Sequence, residues 1–397
     1  MLVLGFVVLS VAFSQHVVPG KVLPTFPATY NMARSSAMMT CNSSGPVDPV
    51  FASKWGLVDL DWNGGKVVWS ATKPMSAEEF MVDNLKAIRN LNPNVWGWVY
   101  RNGIKALPWH TTVRTLLEDK SQWGLFMPLK GCMPDVGNYI CGPNATQNLY
   151  HDFEQTPRGD CGEGVECGEY VFNHRNESLR DFLLGEYFFG KMGAGNPLVD
   201  GFYVDDGWSS AGPSEMDSNA VEKMGMSKDD VTAMIAAWLA NQQAWRDKLV
   251  ANQKFEWFLF YGGQQTAPGQ NQTCGQCTCQ TYLEAQCGPL SGTQNGTLFY
   301  GYSRSTHPHP WPLPTPDSDL AMFLLSRGKY GFFGYGWSGC ADAEHPFTRP
   351  AALDMDYGTP LNFCTQTSPG SQVWTRNYTK ANIAMDCRTY EASFDFI

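Results

Sequence analysis

The segment best equipped for chemistry is Val199-Asp-Gly-Phe-Tyr-Val-Asp-Asp-Gly-Trp208. An apolar run ends there in two adjacent carboxylates, a glycine and an indole. A carboxylate at a strand end is held rigidly, and a tryptophan beside it offers a flat apolar face to a sugar ring. Cleaving a glycosidic bond takes one carboxylate as nucleophile or base and a second as acid. Side chains alternate along a strand, so Asp205 and Asp206 point in different directions, and Asp205 is assigned the reacting position. The competing reading makes the pair a cap on the following loop.

Polar residues recur where other apolar runs end. Asp59 and Asp61 share one strand face, followed by Trp62. Tyr100 and Arg101 close the next run, and Asn173 and His174 the one after. Tyr261 closes a later run. With Asp206 and Trp208, these are the candidate substrate contacts. Asp61 is the first choice for the second catalytic carboxylate, because it ends a strand as Asp205 does. Asp59, Asp206 and Glu284 remain open, with Asp342 and Glu344 further back. Glu284 lies in a Cys-rich stretch that could fold over the site. Arg101 and Arg175 have a structural alternative, pairing with Asp59 or Asp61.

These strand ends need a scaffold. Short runs rich in Val, Phe, Tyr and Trp alternate with helical stretches. Runs 57–62, 95–100, 170–174, 199–204, 255–261, 298–302 and 330–335 read as strands. Helices are expected over 76–91, opened by a Ser76/Glu79 capping box, and over 109–120, 178–191, 229–250 and 319–327. Such alternation implies parallel strands covered by helices. The expected fold is α/β, a (β/α)8 TIM-like barrel over 15–345; a doubly wound open sheet is the alternative. Two Cys-rich insertions, near 129–168 and 262–297, interrupt it. Residues 346–397 form a small C-terminal antiparallel β element packed on the barrel.

Residues 1–14 carry no charge and are too short to span a bilayer, which takes roughly 20 apolar residues. They read as a signal peptide cleaved before Gln15. Twelve cysteines behind such a segment read as disulfides. Sequons agree with export: Asn42, Asn144, Asn271, Asn295 and Asn377 are candidate N-glycan sites, and Asn176 the most doubtful. The expected location is extracellular. A net charge of −10 argues against nucleic acid. Gly334 to Gly339 matches a dinucleotide fingerprint, but no helix pattern follows it. No G-x-S-x-G elbow is present. Neither a metal nor a cofactor is expected, and no membrane span is read.

Asn173-His-Arg-Asn176, the stretch from Ser178 to Leu184, and Asp200-Gly-Phe-Tyr-Val-Asp-Asp206 together resemble the glycoside-hydrolase-like (β/α) barrel families. Leu320 to Gly328, Tyr357 to Pro360 and Val373 to Arg376 are weaker matches. The resemblance covers roughly 55–390, outside the two insertions. It implies a barrel, an oligo- or polysaccharide substrate, and Asp205 at the family's strand-end aspartate. The alternatives are a non-catalytic glycan-binding barrel and an extracellular structural glycoprotein.

Overall fold

The structure, a computed structural model, describes residues 30–40, 43–132, 134–135, 138–139, 141–142, 144–153, 157–258, 279–288, 297–300, 316–334 and 349–397. The signal-peptide reading, Tyr261, Asp342, Glu344, the Gly334–Gly339 match beyond its first residue, and Asn42, Asn271 and Asn295 lie outside the described residues.

Among the described residues, seven parallel strands make the central sheet: β1 (Ser36–Thr40), β2 (Leu57–Leu60), β3 (Trp96–Asn102), β4 (Gly201–Asp205), β5 (Phe255–Phe258), β6 (Thr297–Tyr300) and β7 (Tyr330–Gly334). Their order is β5-β4-β3-β2-β1-β7-β6. The sheet is curled. Trp98 of β3 meets Phe332 of β7 at 5.7 Å between ring centroids, although β2 and β1 lie between those strands. The edge strands β5 and β6 also approach within 8 Å between Cα atoms.

Two strands differ from the sequence expectation. β1 was not expected, because Ser-Ala-Met-Met-Thr lacks a β-branched or aromatic pattern; pairing on both sides supplies what propensity does not. The expected strand at 170–174 is no part of the sheet. Glu169–Val171 pairs antiparallel with Lys105–Ala106 and with His151–Asp152, inside the excursion between β3 and β4.

The main covering helices are α1 (Ala77–Leu91), α2 (Thr111–Glu118), α3 (Glu177–Phe182), α4 (Lys228–Ala251), α5 (Cys279–Gln286) and α6 (Pro316–Ser326). α1 buries Met81, Leu85 and Ile88, the period expected of an amphipathic face. Its expected capping box is not formed. Ser76 makes no side-chain cap, and Glu79 accepts from Thr111 instead (2.9 Å). α4 does carry a capping box, between Ser227 and Asp230. No helix of the described residues is long and apolar enough to cross a membrane.

The C-terminal region forms the antiparallel sheet β8 (Thr365–Gln366), β9 (Val373–Asn377), β10 (Ala381–Asp386) and β11 (Glu391–Phe396). It locks onto the end of α6. The Arg376 guanidinium donates to the carbonyls of Leu324 (3.1 Å), Leu325 (3.0 Å) and Arg327 (2.8 Å), satisfying acceptors that a helix C-terminus leaves open. Two disulfides reinforce the joint, Cys279–Cys387 and Cys287–Cys364. They tie α5, in the second Cys-rich stretch, to the C-terminal sheet. The first insertion is closed locally by Cys132–Cys141 and Cys161–Cys167.

The two long-range disulfides span 108 and 77 residues. Closing loops of that size restricts the unfolded chain. Cys287→Ser/Cys364→Ser should therefore cost about 2–5 kcal/mol. Equilibrium urea unfolding of this variant beside the wild type checks it; equal midpoints would show that the bridge adds no stability.

Candidate active site

Register decides what faces the sheet interior. Asp59 pairs with Trp98, Tyr203 with Tyr100, and Asp205 with Asn102. Alternation therefore sets Asp59, Asp61, Trp98, Tyr100, Asn102, Tyr203 and Asp205 on one face. Arg101, one residue out of phase, falls on the other. It is fully buried there against α1, paired with Glu78 at 2.9 Å, and donates to the carbonyls of Tyr187, Tyr100 and Met192. The substrate role read for Arg101 is corrected to a structural one, with Glu78 as its partner rather than Asp59 or Asp61. Arg175 pairs with Asp230.

Asp200, which opens the β4 motif, anchors the strand at its start. It accepts from the Gly97 amide (2.9 Å) and from Arg89. At the other end, Asp205 is partly exposed. Its Oδ2 accepts from the Tyr100 hydroxyl (3.1 Å) and its Oδ1 from the Asp206 amide (2.9 Å). Asn102 Nδ2 donates to the Tyr100 hydroxyl oxygen (2.8 Å) and to Asp206 Oδ2 (2.6 Å). Asn102 Oδ1 in turn accepts from the amides of Ile104 (3.0 Å) and Lys105 (2.6 Å). One amide thus orients both partners of the Asp pair.

Asp206 is buried, with a left-handed φ of 62°. Its carboxylate is taken up by Asn102, by the Ser214 hydroxyl (2.8 Å) and by Lys105 Nζ (3.1 Å). Three protein groups thus engage this buried carboxylate, so it positions the strand end rather than facing open space. Lys105 also pairs with Glu169 at 3.2 Å. Burial opposes the ammonium, but Asp206 and Glu169 overcome it and raise the lysine pKa. Burial also raises Glu169, to about 7.

Among the described residues, three carboxylates of the strand face lie outside that pairing. Asp59 is 1 % exposed, and neither of its oxygens has a hydrogen-bond partner among the described residues. Burial first, then the charges of Asp61 and Asp205, push its pKa well up. Burial raises Asp61 to about 7, against one bond from the Asn63 amide at 2.7 Å. Asp205 is raised by burial and then by Asp206, Glu215 and Asp61. Like charges in a weakly solvated interior hold protons. The arrangement is electrostatically complementary to positive charge, and it can carry both a proton donor and an anion.

Trp62 packs with Trp109, Trp69 and Tyr100 at centroid distances of 4.9, 6.3 and 6.4 Å, so it braces Tyr100. Trp208 is 6 % exposed, and its Nε1 has no partner among the described residues. His174 is buried. Its Nε2 meets the Gly103 carbonyl (3.0 Å) and its Nδ1 the Asn241 amide (3.1 Å); burial lowers it to about 3. It clamps the turn after β3 to α4, which corrects its substrate role. Asn173 is partly exposed beside it and reaches the Gly124 carbonyl (3.4 Å). Since 169–171 is no barrel strand, neither residue ends one. Glu284 sits on the exposed face of α5, accepting from Gln280 (2.6 Å) on a helix bound to the C-terminal sheet. It lies on a helix surface rather than on a loop closing over Asp205.

Sequence reasoning places Asn102 only as a polar strand end, without a role, and misses Lys105, Ser214 and Glu215. Asn102 ended an expected strand, and its phase with Tyr100 was a usable signal. The other three act through turns whose geometry has no sequence period. Among the described residues, no group of three or more His, Cys, Asp or Glu could hold a metal ion.

No protein-family model matches the sequence, and no curated protein is similar to it. Solved structures of glycoside-acting enzymes are similar to the chain. A sucrose 6F-phosphate phosphorylase from Thermoanaerobacter thermosaccharolyticum is 12% identical, with TM-score 0.44, covering 93% of this chain and 98% of its own. A Nostoc punctiforme debranching enzyme is 11% identical, with TM-score 0.40 and 91% coverage of each chain. A Flavobacterium johnsoniae dextranase is 9% identical, with TM-score 0.37, covering 84% of this chain and 39% of its own.

The raised Asp61 pKa has a consequence for stability. An unfolded aspartate titrates near 3.8 and the folded one near 7. The folded state therefore binds the proton more tightly, so the group favours folding below about 4 and loses that advantage as pH rises through 7. Asp61→Asn should raise the unfolding temperature at pH 8 and leave it nearly unchanged at pH 4. Thermal unfolding across that range checks it; an equal shift at both ends would show that Asp61 titrates normally.

Proposed function

We propose that this chain is an extracellular glycoside hydrolase acting on an oligo- or polysaccharide through paired carboxylates, with Asp205 as nucleophile or base. The observation that carries the reading is Asp205 itself. It is the partly open carboxylate at a strand end, oriented by the Tyr100 hydroxyl and surrounded by buried acids. A glycosidic bond breaks through an oxocarbenium-like transition state. Positive charge growing at the anomeric carbon would offset the repulsion among Asp59, Asp61 and Asp205, so the free-energy gain is concentrated in the transition state, where it accelerates the reaction. Asp59 and Asp61 lie on the same face, and the Trp208 indole N–H, on the loop after Asp206, has no partner among the described residues.

Closure of the curled sheet into a complete eight-stranded barrel belongs to the same reading, as does export. The disulfides and the exposed sequon residues Asn144 and Asn377 suit an oxidising, glycosylating route. Asn176 caps α3 and donates to the Gly124 carbonyl (2.9 Å), so its amide is engaged in the fold.

Asp205→Asn keeps the shape and the Tyr100 contact but removes the anion. It should reduce turnover of aryl glycosides and oligosaccharides by roughly 10²–10⁴-fold or more, without lowering the unfolding temperature. Wild-type rates in this variant would sink the assignment. Tyr100→Phe removes a hydroxyl that donates to the carboxylate, worth about 1.5–3 kcal/mol. Its kcat should fall by roughly 10- to 100-fold, and an unaltered kcat would exclude the bond from the reaction.

A further inference from the structure

The chain leaves β4 and returns to it. After Asp206, Trp208–Ser209 pairs antiparallel with Gly212–Pro213. The Ser214 amide donates to the Gly207 carbonyl (2.9 Å), and the Gly207 amide to Ser214 Oγ (2.8 Å). Ser214 Oγ then donates to Asp206 Oδ1 (2.8 Å). This closed hairpin carries the next residue, Glu215, back to the strand end. Lys105 fixes it there, since the ammonium that pairs with Asp206 also donates to the Glu215 carbonyl (2.9 Å). Asp206 and Glu215 both hold left-handed φ angles, 62° and 51°, which non-glycine residues seldom adopt without a constraint.

The side chain that results differs from the other acids nearby. Glu215 is exposed, whereas Asp59, Asp61 and Asp206 are buried. Its charge, with those of Asp206 and Asp61, adds to the burial that raises the Asp205 pKa. Asp61, in contrast, uses one oxygen to close its own loop at Asn63. Two other polar groups lack hydrogen-bond partners among the described residues: Asp59, at both oxygens, and the Trp208 indole N–H on the hairpin itself.

We infer that Glu215 is the general acid paired with Asp205, delivered by the 207–214 hairpin rather than by another strand. The inference rests on the hydrolase reading above. The Glu215 carboxyl gives its proton to the glycosidic oxygen, which leaves as an alcohol with the bonding electron pair. The anomeric carbon bonds to an oxygen of Asp205, or to a water oxygen whose proton passes to Asp205. Water restores the starting protonation of both acids. Lys105 and Ser214 are positioning residues for this pair.

The test compares Glu215→Ala, Glu215→Gln and Asp205→Asn on phenyl and 2,4-dinitrophenyl glycosides of the same sugars, in both anomers. Dinitrophenolate departs without a proton and phenolate is helped by one. Glu215→Ala should lose roughly 10²–10⁴-fold on the phenyl substrates and only a few-fold on the dinitrophenyl ones. It should also lose the alkaline limb of the pH profile. Asp205→Asn should lose both substrates alike. An equal loss on the two leaving groups in Glu215→Ala, or no loss, overturns the assignment while the wild type stays active. A wild type inert on the whole panel overturns the hydrolase reading itself. Glu215 is exposed, so thermal unfolding of its variants should match the wild type and separate a chemical effect from misfolding.

Discussion

Lys105 is the cation that, among the described residues, forms ion pairs within an otherwise acidic set of strand ends. Its ammonium is shared by the Asp206 carboxylate, the Glu169 carboxylate and the Glu215 carbonyl. Through these three partners it gathers the end of β4, the hairpin after it, and the antiparallel excursion between β3 and β4. A buried ion pair is weak evidence for net stability, because desolvation opposes it. Its consequence here is geometric. Asp206 is ion-paired and buried, which leaves Asp205 as the carboxylate of the pair that meets solvent.

The second constraint is the surplus of acid. Asp59, Asp61 and Asp205 lie on one interior face with no ion pair among the described residues, and burial raises all three. A protein built only for stability would replace such a group with apolar residues. Buried like charges are instead typical of sites whose pKa values are tuned for proton transfer. The aromatic wall of Trp62, Trp69 and Trp109 excludes water behind Tyr100, which strengthens every electrostatic term in front of it.

The periphery serves the same end. Arg101 pairs with Glu78 on α1, and its guanidinium binds the carbonyls of Tyr187 and Met192. His174 ties the Gly103 turn to Asn241 of α4. Each was read as a substrate contact, because a charged or amphiphilic residue near a strand end looks functional in one dimension. Each instead fixes the β3 end from outside the sheet. The C-terminal sheet is joined by Arg376 to the end of α6 and by two disulfides to α5.

The sequence by itself determined what depends on local period and composition. The alternation of strands with helices, the C-terminal antiparallel element, the phase that separates Asp205 from Asp206, and the shared face of Asp59 and Asp61 are all carried by side-chain alternation, which a chain cannot escape. Only the tertiary structure decided which strand ends meet and which acids stay unpaired. β1 exists because two neighbours pair with it; the 169–171 strand left the sheet because it pairs elsewhere; Cys279 and Cys287 found partners 108 and 77 residues away. Lys105, Ser214 and Glu215 reach Asp205 and Asp206 through turns and left-handed residues. Such contacts depend on chain reversal rather than on period, so no one-dimensional pattern records them.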